Sequence, residues 1–125
     1  MKIRNAAMYD INEITAVESA CFPEAEAATR EEFEKRLAHY ADCFWLMTDD
    51  NGKIISFVDG MATDRRDLTD EMYENAALHD PNGRWQMIFG VNTLPEYRRR
   101  GYAEALLRQV AIDAKNRGRS GLVLT

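Results

Sequence analysis

The residues best equipped for chemistry lie together in Val91-Asn92-Thr93-Leu94-Pro95-Glu96-Tyr97-Arg98-Arg99-Arg100-Gly101-Tyr102-Ala103. An apolar run stops at Pro95 and a helical pattern starts at Gly101, so this stretch brings a helix start to a strand end. Unpaired N–H groups at a helix N-terminus, backed by the macrodipole, favour an anion such as phosphate or pyrophosphate. Gly101 permits close backbone approach, and Ala103 keeps the next turn open. Arg98, Arg99 and Arg100 offer charge-assisted bonds to phosphate oxygens. The stretch is neither a Walker A loop, which needs Gly-Lys-Ser/Thr, nor the Rossmann G-x-G-x-x-G.

Charge points to the same place. From Asn92 to Gly121 there are seven bases and three acids, a local +4 on a chain of net charge −5, which leaves −9 for the remainder. A basic segment on an acidic protein fits a compact anionic ligand, or a solvated helix face, better than a long polyanion. General nucleic-acid binding is therefore disfavoured.

Elements to carry such a site are legible from periodicity. Ile3 to Ala7 reads as an edge strand. Ile11, Ile14, Val17 and Ala20-Cys21 recur at helical spacing until Pro23. Thr29 followed by Glu31-Glu32 is an N-cap signal for a second helix carrying Phe33, Leu37 and Tyr40. Two apolar runs, Cys43 to Thr48 and Lys53 to Val58, flank an Asn51-Gly52 turn and read as an antiparallel hairpin. Thr63 to Arg84 is long and charged, with a short helix expected around Leu68 to Tyr73. Trp85 to Leu94 reads as one strand, Gly101 to Asn116 as an amphipathic helix, and Gly121 to Thr125 as a further buried strand.

Composition bounds the class. A chain of 125 residues, 46% apolar and 10% aromatic, holds one core and argues against disorder. No apolar run approaches the roughly 20 residues of a membrane span, and Met1 to Asn5 leads into polar residues without a signal-peptide apolar region. Cys21 and Cys43 lack disulfide-scaffold or metal-ligand spacing and read as reduced thiols of a cytoplasmic protein. No metal site is expected.

The order Arg98-x-x-Gly101-x-Ala103 after a strand resembles the Arg/Gln-x-x-Gly-x-Gly/Ala acetyl-CoA signature of the GNAT superfamily of N-acetyltransferases. The order of elements along essentially the whole chain is similar too. Cys21 to Ala28 and the Asn92-bearing strand look nearest to the arylalkylamine (serotonin) N-acetyltransferase-like group. The resemblance implies an α/β (α+β) fold, a mixed and mainly antiparallel sheet flanked by helices, in a single domain over residues 1–125. It implies that acetyl-CoA is the cofactor. Its pantetheine arm would pair with Val91, Asn92 and Thr93 like an added strand. Its pyrophosphate would lie over Arg99, Arg100, Gly101, Tyr102, Ala103 and Glu104, with Arg98 shaping the loop.

The implied reaction is direct attack of a small-molecule primary amine on the thioester, which requires a base for the amine and an acid for the thiolate. The serotonin-acetylating group that the chain resembles carries histidines on the signature strand where this chain has Met87 and Phe89. No catalytic residue is assigned. Glu24, Glu26, Asp59 and His79 are the candidates for the acceptor side, each also readable as ordinary loop or surface polarity. His39 reads as a surface residue, and Trp45, Phe57 and Phe89 as core. The family fold continues past the last strand, so the chain is expected to be incomplete at its C-terminus, its exposed strand covered by a second copy in a homodimer. The alternative to an enzyme is a non-catalytic acyl-CoA-binding or self-associating fragment.

Overall fold

The computed structural model describes residues 1–124. Strand β1 (Lys2–Asn5) leads through a single turn into α1 (Ile11–Cys21), and α2 (Arg30–Tyr40) follows. Thr29 caps α2: its hydroxyl accepts from the Glu32 amide at 3.2 Å while Glu32 Oε1 accepts from the Thr29 amide at 3.1 Å, a reciprocal capping box. The hairpin is β2 (Phe44–Thr48) and β3 (Ile54–Asp59), turned at Gly52 with φ +83°. Next come β4 (Ala62–Thr63), the short α3 (Asp70–Glu74), β5 (Trp85–Met87), β6 (Gly90–Thr93), α4 (Tyr102–Asn116) and β7 (Gly121–Val123). Thr125, the last residue of the expected terminal strand, lies outside the described residues.

One sheet is antiparallel in the order β1-β2-β3-β6, and the other has the order β4-β5-β7 with β5 and β7 parallel. Both central strands are buried along their full length, which requires cover on both faces. Adjacent residues of β2 identify the covers. Phe44 packs on Phe33 and Tyr40 of α2, whereas Trp45 donates from Nε1 to Asp113 of α4 at 2.8 Å. Successive strand side chains point to opposite faces, so α2 and α4 sandwich the sheet. The apolar stripe of α4, Leu106, Val110 and Ala114, is buried there.

Trp85 to Leu94 is not one strand. β5 joins the smaller sheet and β6 the larger, with Ile88 and Phe89 between them. The partner strand divides at the same level, at Gly60-Met61. The Phe89 amide donates to the Asp59 carbonyl at 2.7 Å, yet Gly90 is the Cα partner of Asp59. Two residues thus oppose one, a β-bulge that re-aims the chain. A Cβ on Gly60 would stand 1.8 Å from the Met87 carbonyl oxygen, so only glycine allows this approach. Periodicity within one strand could not reveal a break created by two different partners.

Candidate functional site

The basic loop is built as its residue types require. Gly101 is the N-cap of α4 at φ +81°, a left-handed conformation, and no side chain caps the helix. The first-turn amides therefore face outward beside Arg98, Arg99 and Arg100. Arg99 also has positive φ, +63°. Arg98 ties the loop to the end of β6: its Nε donates to the Thr93 carbonyl at 3.0 Å. A groove of about 250 Å³ lies here, lined by Thr93, Tyr97, Arg98, Arg99 and the residues from Gly101 to Glu104.

β6 pairs with β3 on one edge, and no strand pairs its other edge among the described residues. The Thr93 carbonyl, which takes Arg98 and also the Cys21 thiol at 3.4 Å, faces that free edge. By period-two alternation the N–H and C=O of Val91, itself exposed, face it as well. Asn92 is turned inward and buried. Ser56 fastens the strand from β3, its Oγ donating to the Asn92 carbonyl at 2.6 Å.

Beyond the bulge, between α1, α2, α3 and β6, a cavity of about 400 Å³ opens, lined by Glu18, Glu26, Glu32, Asp59 and Glu74 with Arg36 as its one base. Asp59 and Arg36 form a buried ion pair, Nη1 to Oδ2 at 3.1 Å. Arg36 also donates from Nη2 to the Tyr73 carbonyl at 3.1 Å. Burial pushes the Asp59 carboxyl up to about 6; the Arg36 charge opposes this and the nearby Glu18 adds to it. Glu18 in turn accepts from the Ala28 amide at 2.8 Å and from Asn92 Nδ2. Five elements, α1, α2, α3, β3 and β6, meet in these polar contacts.

Of the acceptor-side candidates, Asp59 and Glu26 line the cavity. Glu24 lies in a neighbouring groove with Thr15, Ser19 and Phe22. His79 is elsewhere: its Nδ1 accepts from the Ala62 amide at 3.0 Å and its ring rests on Tyr40. Burial lowers its pKa, which favours the neutral acceptor form this bond needs. His39 is exposed, Trp45 and Phe57 are buried core, and Phe89 is half-buried at the cavity wall. Asp42, Cys43 and His79 each bring a ligand atom within 4.8 Å of the others, a grouping cysteine spacing does not announce. Arg117 Nη1 already lies 3.8 Å from Cys43 Sγ and from Asp42 Oδ2.

Sequence reasoning passed over Glu18 and Arg36. A signal for both was available. Glu18 stands four residues after Ile14, and Arg36 three after Phe33 and four before Tyr40, so each is a charge on the apolar stripe of its helix. Such a charge is buried only with partners.

No curated protein matches the chain. Among solved structures, the GphF GNAT-like decarboxylase in complex with isobutyryl-CoA is 25% identical, with TM-score 0.80 over 90% of this chain and 58% of its own. The ribosomal-protein-S18-alanine N-acetyltransferase from Escherichia coli is 18% identical, with TM-score 0.72 over 98% of this chain and 64% of its own. The aminoglycoside antibiotic 6'-N-acetyltransferase AAC(6')-IG from Acinetobacter haemolyticus is 19% identical, with TM-score 0.70 over 100% of this chain and 79% of its own. The chain thus spans under two thirds of the first two. These neighbours do not support the narrower arylalkylamine grouping. The family model for the acetyltransferase (GNAT) family matches residues 8–125, nearly the whole chain, and with a mainly antiparallel sheet between helices and the Arg98-x-x-Gly101-x-Ala103 turn in place, the chain belongs to that family.

Proposed function

We propose that the protein is an acetyl-CoA-dependent N-acetyltransferase acting on a small primary amine. The observation that carries this reading is the pairing of an uncapped helix start at Gly101 with the free edge of β6, joined through Thr93 and Arg98. The two halves match the two halves of the cofactor. Val91, Asn92 and Thr93 form the strand on which the pantetheine amides add a ladder, Val91 through its free-edge groups. Arg99, Arg100, Gly101, Tyr102, Ala103 and Glu104 hold the pyrophosphate through first-turn amides and guanidinium charge, with Arg98 as the strut of the loop. The cofactor supplies the thioester carbon that the amine attacks.

The acceptor cavity has five carboxylates and one guanidinium, so its field draws a cation, and an amine at neutral pH is one. Glu26 and Asp59 belong to this acceptor side, and Glu24 to the groove beside it.

Calorimetry with CoA and thiol release from acetyl-CoA with kanamycin, spermidine, tyramine and an alanine-terminated peptide test the reading. Micromolar CoA binding with turnover on at least one amine is expected. CoA binding without turnover favours a binding module, and a folded chain that ignores CoA overturns both.

A further inference from the structure

At the Gly90 wall of the acceptor cavity, two oxygens converge on one point without a donor between them among the described residues. Glu18 takes the Asn92 Nδ2 group, which turns Asn92 Oδ1 the opposite way. That Oδ1 is buried and has no hydrogen-bond partner among the described residues. Arg36 engages Asp59 through Oδ2, and no described residue donates to Asp59 Oδ1. A Cβ placed on Gly90 would lie 3.3 Å from Asn92 Oδ1 and 3.9 Å from Asp59 Oδ1. The space over Gly90 thus lies between two acceptors: Asp59 and Gly90 line the cavity, and the buried Asn92 Oδ1 lies just behind that wall, next to the free edge of Val91. Buried acceptors are rarely left without donors, and two acceptors facing one gap suit a group that carries at least two N–H or O–H bonds.

We propose that Asp59 is the proton acceptor for the incoming ammonium group, directly or through one water over Gly90, with Asn92 Oδ1 orienting a second N–H. The inference rests on the N-acetyltransferase reading above. In the step, one N–H bond of the ammonium breaks and an O–H bond forms on Asp59 Oδ1, leaving a neutral amine with its lone pair free. The amine then forms the C–N bond as the C–S bond breaks, and the second nitrogen proton goes to the departing thiolate. The first returns from Asp59 to solvent. Net, an ammonium and a thioester become an amide, a thiol and one proton.

The surroundings suit the task. Arg36 and Tyr40 face Asp59 from α2, Glu18 from α1, and Tyr73 from α3. Arg36 keeps the carboxylate ionised and aimed, while burial makes it a stronger base than a surface aspartate.

Two variants test the assignment: Asp59→Asn removes the base, and Gly90→Ala fills the gap while leaving the ion pair intact. With the panel amine that the parent protein acetylates fastest, each is expected to lower kcat/KM at pH 7 by about 10²–10⁴-fold. CoA affinity, by calorimetry, should stay within about threefold. The parent's rate limb near pH 6 should vanish in Asp59→Asn, whose rate should instead climb tenfold per pH unit as free amine accumulates. Rates in both variants equal to the parent's overturn the proposal but not the acetyltransferase reading. If no panel amine is acetylated, the Asp59 carboxyl is titrated by 13C NMR with methylammonium against tetramethylammonium, which has no N–H. A shift specific to methylammonium that Gly90→Ala abolishes supports the site. An unmoved titration overturns it.

Discussion

Asp59 and Arg36 form a buried ion pair that uses only one carboxylate oxygen: Oδ2 lies 3.1 Å from Nη1, and both side chains are almost wholly out of solvent. Two charges removed from water hold each other in place, and each is costly without the other. This relationship organises the acidic cavity between α1, α2, α3 and β6.

Arg36→Ala leaves the Asp59 carboxyl buried beside Glu18 with no counter-charge. A loss of about 3–5 kcal/mol in unfolding free energy is expected. Urea denaturation at pH 7 measures it. A loss below about 1 kcal/mol would show that the carboxylate is hydrated in the folded chain.

Asp59 also sets a pH dependence. Its folded-state pKa is raised by burial from 3.8 to about 6, so the folded chain binds this proton more tightly than the unfolded chain. The resulting contribution to stability is fully present below pH 3.8 and is lost as pH rises through 6, by roughly 3 kcal/mol. His79 works in the opposite sense. Its lowered pKa favours folding above its unfolded value and loses that contribution as pH falls. Subtracting the pH profile of Asp59→Asn from that of the parent isolates the Asp59 part, which should decline between pH 4 and 6. A flat difference would mean that the carboxyl titrates normally.

At Gly101 the constraint is conformational. A Cβ would meet nothing within 4 Å, yet φ is +81°. Gly101→Val is expected to cost about 1–2 kcal/mol of strain at that turn and to weaken CoA binding at least tenfold. Gly101→Asn, a residue that tolerates left-handed backbone, should retain more of the affinity. Calorimetry with CoA, beside thermal unfolding, separates the two effects. Unchanged affinity in the valine variant would remove the pyrophosphate from this loop.

His79→Ala deletes the acceptor of the Ala62 amide and the ring resting on Tyr40. The expected cost is about 1–3 kcal/mol of stability, with turnover per folded molecule unchanged. A fall in turnover without a fall in stability would return His79 to the acceptor side.

Local signals carried the elements and the basic loop before α4. Thr29 with Glu32 announces a helix start because a capping box needs only neighbours in sequence. Asn51-Gly52 announces the hairpin because the turn conformation is a property of those two residues. The Arg98-x-x-Gly101-x-Ala103 turn is local as well: one left-handed glycine and the helix that follows supply its chemistry.

The acidic cavity was hidden for the converse reason. Asp59 lies 23 positions from Arg36, and Asn92 lies 74 from Glu18. Each of these residues is an ordinary polar position until packing brings it to a partner. The division of Trp85 to Leu94 into two strands belongs to the same class, since it depends on what pairs with each half. From its sequence alone this chain determined its main helices, the β2–β3 hairpin and a glycine-led helix start beside three arginines, because periodicity, caps and turn conformers act within a few residues. Tertiary structure alone decided which charges are buried and which oxygens lack donors among the described residues, because those depend on contacts and desolvation between segments far apart in the chain.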